Sequence, residues 1–213
     1  SLGRAGIRVS SLDAATSESA YSKYCTRIPL DDALGSKGWL QWLLGEGTKT
    51  HHGAILLPCS DEGLELLVRN RVALGEHYII LEANDDMVLA MLDKARTYAL
   101  AAKLGVAAPS VFQIDTEADL RKIQESILFP CALKPRSSHD FVKHFPTLKM
   151  FIVNNLDELF DAFRRVQEFG LQMILTELIP PSREGYHSYY SYFDENGTPL
   201  FHFTKRKLRQ FPN

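Results

Sequence analysis

The stretch Phe129-Pro130-Cys131-Ala132-Leu133-Lys134-Pro135-Arg136 decides the reading of the chain. Its middle is an apolar run of strand length bounded by prolines. The strand ends on a lysine, so the aliphatic stem is sheltered and the ammonium points beyond the strand end. Residues 136–148 show no hydrophobic period and are expected to form a loop. Lys149 then opens the next strand, Met150 to Val153. A hairpin would bring Lys134 and Lys149 to neighbouring strand ends. Two cations at one mouth repel unless an anion lies between them, and a polyphosphate meets that need. The alternative is two solvated lysines that snorkel from the strand ends.

Working outward, the second half reads as α+β with antiparallel strands. Asn155 with Glu158 caps a helix carrying Leu156, Leu159, Phe160, Phe163 and Val166, ended by Gly170. Leu171 to Ile179 is expected to be a strand stopped by Pro180-Pro181. Tyr186 to Phe193 and Pro199 to Lys207 flank Asp194-Glu195-Asn196-Gly197, and Asn-Gly is a strong hairpin signal. In that second strand Lys205 and Lys207 share one face and Arg206 takes the other. Upstream, Val111 to Ile114 is a strand, and Thr116 with Asp119 forms a capping box for a helix with Leu120, Ile123 and Ile127 inward.

The first half differs. A Gly-rich piece, Leu2 to Gly6, precedes a short strand, Ile7 to Leu12. Ser36 is expected to cap a helix through Leu44, stopped by Gly45 and Gly47. Ala54 to Leu57 and Tyr78 to Leu81 are continuous apolar runs, expected to be covered on both faces, with a Ser60-capped helix between them. Strands alternating with helices predict a parallel sheet with crossovers. Two helices, Asp85 to Leu92 and Asp93 to Leu104, join the halves, and the boundary is placed near residues 84–93.

Composition narrows the function. In 213 residues, 24 Lys+Arg against 26 Asp+Glu give a net charge of −2, without the basic excess of a nucleic-acid binder. The basic stretch Thr204 to Arg209 is therefore read as facing a phosphate or carboxylate. No apolar run approaches the roughly 20 residues of a membrane span. Cys25, Cys59 and Cys131 are odd in number and widely spaced, which suggests reduced thiols in a cytoplasmic protein. The seven histidines show no metal-ligand spacing, and Ser60 lacks a nucleophile-elbow context. Seven cations of the second half fall at element ends: Lys94, Lys134, Arg136, Lys149, Lys205, Lys207 and Arg209. The chain starts at Ser1 and is expected to be a fragment.

Three stretches together resemble the ATP-grasp superfamily, in particular its carbamoyl-phosphate synthase large-subunit-like carboxylate–amine ligases. They are Asp93-Lys94-Ala95-Arg96 with Ala102 to Pro109, Phe129 to Arg136, and Ile174-Leu175-Thr176-Glu177-Leu178-Ile179-Pro180. The resemblance covers about residues 50–213, the early part by element order only. It implies a Rossmann-like preceding α/β domain with a parallel sheet over residues 1–90, its first strand falling before Ser1. ATP-grasp subdomains with antiparallel strands follow over 91–213. By the same resemblance Lys94 and Lys134 would contact the phosphates of ATP, and Lys149 would stand near the phosphate loop. Glu177, Leu178 and Ile179 would line adenine, and Glu184 would meet the ribose. Lys205, Lys207 and Arg209 would face the transferred phosphoryl group. The loop after Arg136 has no glycine, unlike the Gly-rich loop of the family, so Ser and Lys side chains would take its place.

The implied reaction is phosphorylation of a carboxylate, followed by attack of an amine or thiol on the acyl-phosphate. The small-molecule substrates are not legible, and neither nucleic acid nor membrane is an expected partner. ATP with Mg2+ is the implied cofactor pair, the magnesium carboxylates falling beyond Asn213. This chain by itself is expected to be inactive as a ligase. The alternative is a non-catalytic ATP-grasp-like module that binds nucleotide or a regulatory partner.

Overall fold

Capping chemistry and buried aromatic residues set most of the elements that carry the site. The structure is a computed structural model that describes residues 2–13, 17–81, 84–179, 185–194 and 196–208. Two compact units divide it, Ser1–Leu89 and Ala90–Asn213.

In the first unit a 3-10 turn over Leu2–Ala5 closes at Gly6, whose φ of +82° favours glycine. β1 (Ser10–Leu12) pairs in parallel with β2 (Thr26–Ile28), a strand the sequence did not announce. α1 (Gly35–Leu44) starts earlier than Ser36, because Asp31 already accepts from the Ala33 amide at 2.9 Å and begins a 3-10 turn leading into it. Gly45 ends α1, but Gly47 does not stop a helix. It lies buried inside α2 (Glu46–Thr50), where a Cβ would meet the Tyr78 hydroxyl at 2.5 Å and the Trp42 ring at 2.7 Å.

β3 (Ile55–Leu56) and β4 (Ile79–Ile80) pair in parallel on either side of α3 (Asp61–Arg69) and α4 (Arg71–Gly75). Ser60 caps α3 by accepting from the Gly63 amide at 3.1 Å. The expected parallel pairing is present, as two separate two-stranded sheets among the described residues. The expectation that both faces are covered is corrected. Leu56 and Ile80 pack with Leu43, Leu67, Leu74 and Tyr78, while Ile55, Leu57, Ile79 and Leu81 are each about half exposed. A continuous apolar run reports hydrophobicity and not what covers it. α5 (Asp85–Leu92) follows, held to α4 by the Arg71–Asp85 ion pair.

The second unit opens with α6 (Lys94–Lys103), capped by Asp93 and closed at Gly105, φ +67°. β5 (Val111–Ile114) and α7 (Glu117–Ile123) follow, the latter with the full Thr116/Asp119 capping box. β6 (Cys131–Pro135) leads to α8 (Ser138–His144). The predicted loop over 136–148 is thus partly helical. Ser137 caps α8 by accepting from the Asp140 amide, Lys143 pairs with Asp140 at 3.1 Å, and Phe141 is buried against Phe145 at 4.8 Å between ring centroids. A seven-residue helix has too few turns to show a period, so only burial of Phe141 reveals it.

β7 (Phe151–Val153), α9 (Leu156–Gln167) and β8 (Met173–Glu177) complete a four-stranded antiparallel sheet of order β5-β8-β6-β7. α9 is capped as expected by Asn155 and Glu158. α7 and α9 bury Leu120, Leu159, Phe163 and Val166 against Leu133, Met173 and Leu175 of the sheet. Each such side chain contributes roughly 1.5–3 kcal/mol on burial. β9 (Tyr186–Phe193) and β10 (Pro199–Lys207) form the expected hairpin, whose turn is held by Asp194 accepting from the Asn196 and Thr198 amides. No helix among the described residues is long and apolar enough to cross a membrane.

Candidate nucleotide site

Strand register sorts the sheet into two faces. Leu133 pairs with Phe151 and Leu175 on the helix-covered face. Lys134, opposite Ile174, lies on the other face with Ala132 and Thr176. Ala132, Ile174 and Thr176 are buried there, and the Thr176 hydroxyl has no hydrogen-bond partner among the described residues. Lys134 is half-buried at the end of this row. Burial pushes its ammonium pKa down, and no carboxylate among the described residues offsets the cost. A sheltered cation without a counter-charge is the element of the site that most calls for an anion.

Lys94 approaches the end of the same strand. It is the first residue of α6, its amide donates to the Arg136 carbonyl at 3.2 Å, and its Nζ donates to Ser138 Oγ at 2.7 Å. Asp93 beside it accepts from Arg136 Nε at 3.1 Å and from Nη2, a bidentate pair across 43 residues of sequence. Burial opposes ionisation of Asp93, yet the Arg136 guanidinium and the Ala95 and Arg96 amides hold its carboxyl below the usual range. Arg136 is correspondingly fixed in its charged form by Asp93.

The remaining expected residues divide. Lys149 does not open the next strand as expected: it is exposed in a bend two residues before β7, and the β6–β7 pairing ends at Leu133 and Phe151, short of both lysines. Glu177 ends β8. Its amide donates to the Ser110 carbonyl at 3.2 Å and its Oε1 accepts from the Ser110 amide at 3.0 Å, fixing the strand end where Leu178 and the exposed Ile179 follow. Lys205 and Lys207 do share one face of the hairpin. Lys205 lies 5.0 Å from the Tyr190 ring centroid, and Tyr190 stacks on Phe203. That ammonium draws the Tyr190 hydroxyl pKa down. Glu184, Arg209 and Pro180-Pro181 lie outside the described residues.

A cleft of about 350 Å³ lies beside Arg136, bordered by Ser137, Asp140, Lys143, His144 and the 169–172 segment. Sequence reasoning missed the roles of Asp93 and Ser138. Only the adjacency of Asp93 to Lys94 and of Ser138 to Arg136 marks them, and neither adjacency shows that the two segments meet.

The fold has solved counterparts. N5-carboxyaminoimidazole ribonucleotide synthetase from Thermus thermophilus superimposes with a TM-score of 0.65 at 18% identity, over 94% of this chain and 48% of that one. L-amino acid ligase from Bacillus licheniformis gives 0.65 at 16% identity, over 99% and 48%. D-alanine–D-alanine ligase from Bacillus anthracis complexed with ATP gives 0.61 at 18% identity, over 95% and 66%. The fold is that of the ATP-grasp ligases. The chain spans about half the length of the first two of these ATP-grasp proteins. No protein-family model matches it, and no curated protein does.

Proposed function

We propose that this chain is the nucleotide-binding portion of an ATP-dependent carboxylate–amine ligase, with residues 91–213 as its ATP-grasp part and residues 1–90 as a Rossmann-like preceding domain. The observation that carries this reading is Lys134: a half-buried ammonium without a carboxylate partner among the described residues, at a strand end that Lys94 also reaches, in a fold shared with ATP-dependent ligases. Within the superfamily its three motif stretches resemble the carbamoyl-phosphate synthase large-subunit-like group.

Lys94 and Lys134 would hold the phosphates. The backbone of Glu177, Leu178 and Ile179, at a strand end fixed on Ser110, would line the adenine edge. Lys205 and Lys207 would face the phosphoryl group as it passes to a carboxylate oxygen, with Lys149, Glu184 and Arg209 as further contacts to phosphate, ribose and phosphoryl oxygens. Such a site works by positioning and by neutralising charge. The phosphoryl bond to ADP breaks as the bond to the carboxylate forms. An amine then displaces phosphate from the acyl-phosphate. A magnesium ion, where bound, would supply further charge neutralisation. No group of three His, Cys, Asp or Glu side chains among the described residues could hold one.

The test is a calorimetric titration with ADP. Lys134→Ala should weaken binding about tenfold or more, since a charge-assisted hydrogen bond is worth roughly 1.5–3 kcal/mol. Unchanged affinity in that variant would remove the assignment. The solved counterparts are ligases and do not favour the regulatory-module alternative.

A further inference from the structure

The two cations of the site belong to segments about 40 positions apart in sequence, Lys94 opening α6 and Lys134 near the end of β6. What joins them is a side-chain pair. Asp93 immediately precedes Lys94. Arg136 follows Lys134 with only Pro135 between, and the proline ring fixes the backbone φ at that step. Asp93 and Arg136 meet fork to fork, both only 23% exposed. The backbone repeats the link, since the Lys94 amide donates to the Arg136 carbonyl. Arg136 is in turn tied to the sheet by its own amide, which donates to the Gln172 carbonyl at 2.9 Å. The guanidinium is therefore engaged by Asp93.

We propose that Arg136 is a positioning residue: through its bidentate pair with Asp93 it sets the spacing between the Lys94 and Lys134 ammonium groups and so determines the site's affinity for a diphosphate. The proposal rests on the nucleotide reading above for its ligand, but the latch itself is a property of the ligand-free chain. The segment between Arg136 and Lys149 has no glycine and coils into α8, so it is not a Gly-rich phosphate loop, and the weight of anion binding falls on the side-chain cations beside it. Two ammonium groups on separate segments hold a fixed spacing only if their backbones are locked, and a planar guanidinium on a carboxylate locks both distance and angle.

Asp93 also caps α6, accepting from the Ala95 amide at 2.9 Å. Asn caps as well as Asp, so Asp93→Asn removes the ion pair and spares the helix start. Arg136→Gln removes it from the other side, and Arg136→Lys keeps the charge without the fork. The experiment measures affinity for ADP and for adenosine by calorimetry, and amide exchange at Lys94 in the ligand-free chain. Both single variants should weaken ADP about tenfold and leave adenosine unchanged. The double variant should lose no more than either single one, because the pair acts as a unit. Arg136→Lys should recover only part of the loss, and Lys94 amide exchange should quicken in every variant.

Equal losses for ADP and adenosine would show a merely structural role and overturn the proposal, as would additive losses or unchanged ADP affinity. If the unmodified chain binds neither ligand, the nucleotide reading fails. The latch is then decided by the Lys94 amide alone, and unchanged exchange in both single variants refutes it.

Discussion

Lys134→Met is expected to move two properties in opposite directions. Methionine keeps an unbranched stem of similar volume and removes the ammonium. In the ligand-free chain that ammonium is half-buried, and desolvation alone lowers its pKa from 10.5. A folded-state pKa below the unfolded one means that the unfolded chain binds the proton more tightly. The charged group therefore costs stability at neutral pH, and stability rises as the pH climbs from the folded pKa towards the unfolded value. Removing it should stabilise the free chain by on the order of 1 kcal/mol at pH 7, as replacement of an uncompensated charge by an apolar group does. For a unit of this size that is a rise of about 4 °C in melting temperature. The gain should shrink as the pH approaches 10.5. ADP affinity should fall, because a phosphate loses a charge-assisted bond of about 1.5–3 kcal/mol, or roughly 10- to 150-fold. Scanning calorimetry at pH 7 and pH 10, with ADP titrations at pH 7, reads both effects. A variant that melts lower when free shows that the ammonium has a stabilising partner, which refutes the burial argument. A variant that binds ADP as tightly as the unmodified chain refutes its role as a phosphate ligand.

Burial pushes the Cys131 thiol up to about 11, while Cys59 is exposed, so alkylation at pH 8 should label Cys59 and leave Cys131 unmodified until the second unit unfolds. Mass mapping after brief iodoacetamide treatment checks this, and early labelling of Cys131 contradicts it. Gly47→Ala would gain about 1 kcal/mol of helix propensity but drive a methyl group into Trp42 and into the Tyr78 hydroxyl, which donates to the Leu43 carbonyl. A net loss of about 1–2 kcal/mol in the first unit is expected, read as a lower denaturation midpoint, and a higher midpoint would show that the ring moves aside at no cost.

Sequence alone determined the features whose partners lie within a few residues. The Asn196-Gly197 hairpin, the Thr116/Asp119 box, the Ser60 cap and the Asn155/Glu158 cap all appear where local chemistry places them. Lys134 at an apolar strand end was legible for the same reason, since strand length and side-chain alternation are local properties. Other features depend on contacts between distant segments. Which strands neighbour β6, whether Ile55 and Ile79 are covered, and whether 138–144 coils into a helix are decided by what each segment meets. The Asp93–Arg136 pair is the clearest case, because a carboxylate and a guanidinium 43 residues apart carry no mark of each other until the sheet and α6 bring them together. Capping and turn propensities are fixed within one helical turn or one β-turn, whereas register, burial and ion pairing are fixed only when the whole unit closes and the cost of leaving each group unpartnered is compared across every available neighbour.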